Sequence, residues 1–264
     1  MTADQWTREV RHRLGLGRLL PLGGARDGVW IAEAAAATVL RRAADAVPGV
    51  RLGALRIAPA EAAPTHEAAV PAPPSALPPG PLRVTADFSA TAAEPLPATA
   101  SRLRDALAEA ATRRLGLTVD EVDLRVTGLL EADATAGPEP TSTRPGRAPA
   151  SREHTLAHSE QEPVSGGVPP STASATDEER VAGAVLGVPG VSRLTGALDG
   201  LGRAVHIEDG AGDGTAVPRR HVRVEIAVDA DHRTLDVARA VRTKVGRLSG
   251  RPSVAVLVTA VGPS

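Results

Sequence analysis

The feature that most constrains this chain is that it runs through the same series of elements twice. One helical stretch ends in Val47-Pro48-Gly49-Val50 with Leu52 close behind, and another ends in Val188-Pro189-Gly190-Val191 with Leu194 close behind. Each turn leads to an alternating strand, Leu82–Phe88 in the first series and Val222–Val228 in the second. An amphipathic helix follows each, and each series closes on a further strand, Val122–Leu129 and Val254–Val261. Four matched elements in one order predict a duplicated α/β domain.

Within each copy a strand, a helix and a strand follow one another with short links. Two such strands in one sheet are parallel, joined by a right-handed crossover. The preceding hairpin-like pair adds an antiparallel strand. The predicted fold class is therefore α+β: two copies of a two-layer sandwich, each a small mixed sheet with helices on one face. The expected division is a basic amphipathic segment over 1–28, a first repeat over 29–131, a linker over 132–176 and a second repeat over 177–264.

Several local expectations follow. Residues 3–20 form a helix with Trp6, Val10 and Leu14 on one stripe and Arg8, Arg11, His12 and Arg13 around them. Such a helix docks on the neighbouring domain or meets a partner or membrane surface. Val29–Ile31 is an edge strand of the first copy, and an Ala-rich helix follows over 32–46. Pro48-Gly49 stops that helix, and a strand runs from Val50 to Ile57. The Ala/Pro-rich insertion 58–80 is a projecting loop, partly polyproline II. Ala100, Leu103, Leu107 and Ala111 mark the buried stripe of a helix over 97–115, with Gly116 as its C-cap. Residues 132–176, rich in Pro, Ser, Thr, Gly and Glu, are a disordered linker. In the second copy Val181, Val185 and Leu186 are core candidates, the opening strand is missing, and Asp209–Arg220 is a loop. The stripe Leu235, Ala238, Val241, Val245 and Leu248 then makes the cleanest helical period in the chain. Leu107 and Val241 are expected at equivalent buried positions.

Composition narrows the function classes. The chain has one Phe, two Trp and no Tyr, so its cores are aliphatic and it offers little for stacking bases or sugars. The absence of cysteine removes disulfides, thiolate metal sites and cysteine nucleophiles. A net charge of -1 gives no global drive toward nucleic acid or anionic lipid. No apolar run is long enough to span a bilayer and no signal-peptide pattern opens the chain, so the expected location is the cytoplasm. Lys244 is the sole lysine; with abundant Ala, Gly, Pro and Val, that bias points to a high-GC genome such as an actinobacterium's.

No chemical constellation stands out. There is no phosphate loop and no nucleophile elbow. His154 and His158 stand four apart, but in the linker, where no helix presents them to a metal. Asp229, Asp231 and His232 precede a helix, where turn and N-cap duty accounts for the aspartates. Gly187-Val188-Pro189-Gly190 matches the G-x-x-G loop that clamps a nucleotide backbone. Arg219, Arg220 and Arg223 add positive charge nearby, which Glu208, Asp209 and Asp213 offset. The reading names no catalytic residue, no cofactor and no metal.

The series of helix, Val-Pro-Gly-Val turn, strand, loop, strand, helix and strand resembles the alkaline shock protein family of Gram-positive bacteria, the envelope stress response proteins. The residues that carry the resemblance are Val47–Val50, Leu82–Phe88, Ala98–Leu115 and Val122–Leu129, then Val188–Val191, Val222–Val228, Leu235–Leu248 and Val254–Val261. The chain departs from that pattern by duplication and by the insertion at 58–80. The resemblance implies a non-enzymatic cytoplasmic protein, held near the membrane by a membrane-anchored protein partner and able to self-associate. One further expectation concerns the two copies. The second lacks the edge strand that Val29–Ile31 supplies to the first, and an uncovered edge is a liability. The copies should therefore pack together as a pseudo-twofold pair.

Overall fold

The computed structural model describes residues 15–61, 66–131, 172–197, 203–209, 220–248 and 252–263, with the side chains of 172–197 described from 177 on. Trp6, Val10, Leu14, His154, His158 and Arg219 lie outside these residues. Leu19–Pro21 (β1) and Val29–Ala32 (β2) lead into the helix Glu33–Asp45 (α1) and the strands Val50–Pro59 (β3) and Leu82–Thr91 (β4). The helix Leu96–Glu109 (α2) ends in one π turn, Ala110–Leu115, before Val119–Leu130 (β5). Thr172–Leu186 (α3), Val191–Leu194 (β6), Val205–Asp209 (β7), Arg220–Asp229 (β8), Thr234–Gly246 (α4) and Ser253–Gly262 (β9) complete the series.

The class is α+β with mixed sheets, and both halves are wired alike. β3 is antiparallel to β4, and β4 is parallel to β5 across α2. β6 is antiparallel to β8, and β8 is parallel to β9 across α4. The registers start alike, Val50 opposing Ala90 as Val191 opposes Val228, but β6 carries a shift between Val191 and Arg193 that β3 lacks at that point. In the first half β3 stays continuous through a bulge at Gly53-Ala54, between Leu52 and Leu55. In the second, Leu194 opposes Ile226 and Val205 opposes Val224. Thr195 donates to the Glu225 carbonyl at 3.0 Å and the Glu225 amide donates to the Ala204 carbonyl at 2.8 Å, so the extra chain of this half enters opposite Glu225, where the bulge sits, and β6 and β7 together do the work of β3. A bulge is already a break in pairing, which makes it the least costly place for extra chain.

The two Val-Pro-Gly-Val turns are built alike. Val47 and Val188 are buried, and each donates its amide back to the preceding helix. Gly49 and Gly190 adopt φ of 72° and 87°. Their carbonyls accept from Thr91 and Asp229 at the far ends of β4 and β8, both at 2.9 Å. Each turn thus ties the helix end to the end of the central strand.

The sheets are completed across the halves, not within them. β2 pairs in parallel with β9, placing Trp30 opposite Leu257, and β1 pairs antiparallel with β2. This gives a six-stranded sheet, β1-β2-β9-β8 with β6 and β7 on the outer side of β8, beside the three-stranded sheet β3-β4-β5. The strand expected at the edge of the first half's sheet is therefore an inner strand of the second half's sheet. β2 runs without a break into α1, and α1 packs on both β3 and β9. Buried residues of both halves join in one apolar cluster.

Other expectations are corrected. The helix predicted over 3–20 does not reach its end, because Leu19–Pro21 is strand β1 and residues 16–18 are not helical. The described residues of the insertion 58–80 do not project: β3 runs on to Pro59, Val70 and Pro73 are buried, and Leu77 donates to the carbonyl of Leu19 at 2.8 Å. Segment 66–79 drapes over the join between halves, with Ala69 donating to Ala25 at 2.9 Å. Helix α3 begins at Thr172, inside the span read as linker. Leu186 is exposed, whereas Val181 and Val185 are buried. Leu107 and Val241 are both fully buried. Counting from the matched N-caps Pro95 and Arg233, however, the counterpart of Leu107 is Val245, one turn beyond Val241.

Candidate functional site

β5 and β9 hold the same place in their sheets but differ in what surrounds them. β9 is apolar on both faces, the pattern of a strand buried on both sides. It pairs with β8 and β2, and Val254, Ala255, Val256, Leu257 and Val258 are all buried. β5 alternates, Val122-Asp123-Leu124-Arg125-Val126, the pattern of a strand with one wet face. It pairs with β4 only, so its outer edge is open among the described residues.

The register places Val122, Leu124, Val126 and Leu129 of β5 opposite Val84, Ala86, Phe88 and Ala90 of β4, on the helix-bearing side. Val126 is 41% exposed and Leu129 is 67% exposed. The equivalent β9 residues, Val258 and Val261, are buried. The side chains are similar, so coverage makes the difference. On β9 the strand β2 and the helix α1 close the flank, and no described element takes their place on β5. α2 does pack on β5, and its Arg104 reaches over to donate to the Val122 carbonyl at 3.2 Å. On the opposite face Glu121, Asp123 and Arg125 are exposed. Arg83 of β4 meets Glu121 at 3.0 Å and also pairs with Asp123.

The arginines expected near the second turn are differently employed. Arg220 donates to Asp177 of α3 at 2.5 Å and faces Asp209 at 3.4 Å. That hydrogen bond holds the Asp177 carboxyl below the usual carboxylate range, against the opposing effect of burial. The pair rims a cleft of about 160 Å³ floored by Val181, Ile207, Val222 and Val245. Arg223 is half-buried beside Ala255 in the sheet. The Gly187–Gly190 turn has few amides to offer a phosphate. Gly187 donates to Gly183 and Val188 to Val185, and Pro189 has no amide proton.

A second cleft, of about 630 Å³, is lined by Arg239, Arg242 and Arg247. Its charge is largely spoken for. Asp27 takes two hydrogen bonds from Arg239, at 2.8 and 2.9 Å, and Arg242 donates to the Arg26 carbonyl at 2.6 Å. The cleft also opens at the C-terminal end of α4, where outward carbonyls disfavour an anion.

The fold brings together one pair that the sequence reading missed. His221 Nδ1 and Ser253 Oγ lie 2.7 Å apart on neighbouring strands, and Glu208 stands opposite His221 on β7. Burial pushes the His221 pKa down. A nucleophilic serine also needs donors aimed at a developing oxyanion, and the amides beside Ser253 belong to a strand laddered with β8. Only the β8–β9 register, a long-range fact, would have revealed this pair. Asp229 serves the turn, its side chain accepting from the Asp231 amide at 3.0 Å. The helix N-cap is Arg233, so neither aspartate caps α4.

Among the described residues no helix is long and apolar enough to cross a membrane, and no group of three metal-ligating side chains converges. No family model, no curated protein and no solved structure matches the chain.

Proposed function

We propose that this chain is a non-enzymatic scaffold that works through protein–protein contacts, as its resemblance to the alkaline shock proteins implies. On this reading its two halves are an internal duplication joined through the segment 132–171, and it is held near the cytoplasmic membrane by an anchored partner. The observation that carries the reading is the bare flank of β5. Among the described residues a twelve-residue strand leaves its edge unpaired beside exposed Val126 and Leu129, whereas its counterpart β9 is closed by a strand and a helix. Open edges are where extended segments of other chains add.

The test is in-cell cross-linking followed by membrane fractionation, with and without candidate membrane-anchored partners. The expected result is a specific cross-linked partner and a membrane-associated fraction that depends on it. A strictly monomeric, freely soluble chain with no cross-linked partner would overturn the proposal.

A further inference from the structure

Resting on that reading, we propose that the open edge of β5 pairs antiparallel with the β5 edge of a second copy of this chain, about a twofold axis at Leu124. Three observations select this occupant and this register.

The first is geometry. From Glu121 to Val126 the β4–β5 ladder is regular, with shifts only before Glu121 and after Val126. A strand with a straight outer stretch and no proline presents an unbroken row of edge amides and carbonyls. The edge is long enough to pair at both sides of a central residue.

The second is charge. A twofold axis at Leu124 sets Asp123 of one copy directly opposite Arg125 of the other, and does so twice by symmetry. The neighbouring registers fail on the same criterion. An axis at 123 or at 125 places Asp123 against itself or Arg125 against itself, and an axis at 122 places Glu121 against Asp123. Like charges directly opposite are destabilising, and opposite charges support pairing.

The third is the apolar face. With the axis at Leu124, Leu124 meets its own mate and Val122 meets Val126. These are the side chains that β5 carries on the helix-bearing side, so pairing covers the 41% exposed Val126. Two three-stranded sheets then become one of six strands, the size that the other half reaches by recruiting β1 and β2. Arg104 releases the Val122 carbonyl to the incoming strand.

The chain contains no cysteine, which makes a disulfide test clean. Single variants Asp123→Cys and Arg125→Cys of the full chain are made, oxidised alone, and oxidised as an equal mixture. In the proposed register the two thiols face each other across the axis with Cα atoms about 4.5–5.5 Å apart, inside disulfide range. Like residues sit diagonally, about 7–8 Å apart. A linked dimer in the mixture, and none in either variant alone, is the expected result. Sedimentation of the unmodified chain should show a concentration-dependent dimer, weakened about tenfold or more by Arg125→Asp. A chain monomeric at all concentrations, self-linking of either single variant, or no effect of Arg125→Asp would each overturn the pairing. A cross-linked membrane partner found alongside a monomeric chain would leave the scaffold reading standing and refute this one.

Discussion

At the scale of single residues, the two turn glycines carry a matched and testable load. A Cβ on Gly49 would lie 2.6 Å from Thr91 Oγ1, and one on Gly190 would lie 2.7 Å from Val237 Cγ2. Both also hold the left-handed conformation that an L side chain resists. Gly49→Ala and Gly190→Ala should each cost about 1–3 kcal/mol in urea denaturation. The Asp27–Arg239 pair makes a pH-dependent contribution. The Arg239 hydrogen bonds hold the Asp27 carboxyl below its ordinary value. Its stabilisation is thus complete above the unfolded pKa, about 4, and is lost as pH falls through the lower folded value. Arg239 is half-exposed, so solvent screening limits the effect. Asp27→Asn should cost about 0.5–1 kcal/mol near neutrality and flatten the acid limb of the stability profile. His221 acts in the same direction in a higher pH window. Its folded pKa is lowered by burial, so protonation favours unfolding and stability declines as pH drops below about 6.5. His221→Gln should remove that slope, measured as melting temperature between about pH 5 and 7.

At the scale of elements, the crossover helices were the most legible parts. Leu103, Leu107 and Ala111 in one, and Leu235, Ala238, Val241 and Val245 in the other, are buried as their 3.6-residue period requires, with Ala100 and Leu248 at the stripe ends partly buried. Leu107→Ala should cost about 2–4 kcal/mol and Val241→Ala somewhat less, by calorimetry or denaturant melts. The one-turn error in matching Leu107 to Val241 arose because a helical stripe repeats every turn. Only the caps at Pro95 and Arg233 anchor its phase. β2 was legible as a strand and misassigned as a neighbour. Four apolar residues, Val29–Ala32, fit the centre of either sheet equally well, and the sequence around them names no partner. The β5 edge had a sequence signal that could have been read, namely strict alternation in β5 against an unbroken apolar run in β9. That contrast says one strand is wet on a face and the other is dry on both.

At the scale of the whole molecule, β2 makes the halves interdependent. Two domains joined by a linker would each bear their own core losses. The structure has one apolar cluster and a strand of the first half inside the sheet of the second. Leu107→Ala and Val241→Ala should therefore lower one shared transition, seen as a single melting peak that moves in both variants. Proteolytic cleavage within 132–171 should leave the two pieces eluting together on size exclusion, because β2 stays paired with β9. Residues 177–264 expressed alone should aggregate or fail to fold, since Val256 and Val258 would lie at a bare apolar edge. Supplying residues 15–131 in trans should rescue them. Separate elution of stable halves would show that the β2–β9 pairing contributes little.

What the sequence determined by itself was local and ordered: the periods of strand and helix, the Pro-Gly breaks, and the recurrence of one series of elements. These follow from interactions among near neighbours along the chain, which residue type and spacing encode directly. What only the tertiary structure decided was partnership. It settled which sheet takes β2, that Arg220 is spent on Asp177, that His221 meets Ser253, and that β5 is left open where β9 is closed. Each depends on residues distant in the chain. An apolar strand or a surface arginine reads the same whichever of several partners the folded chain finally brings to it.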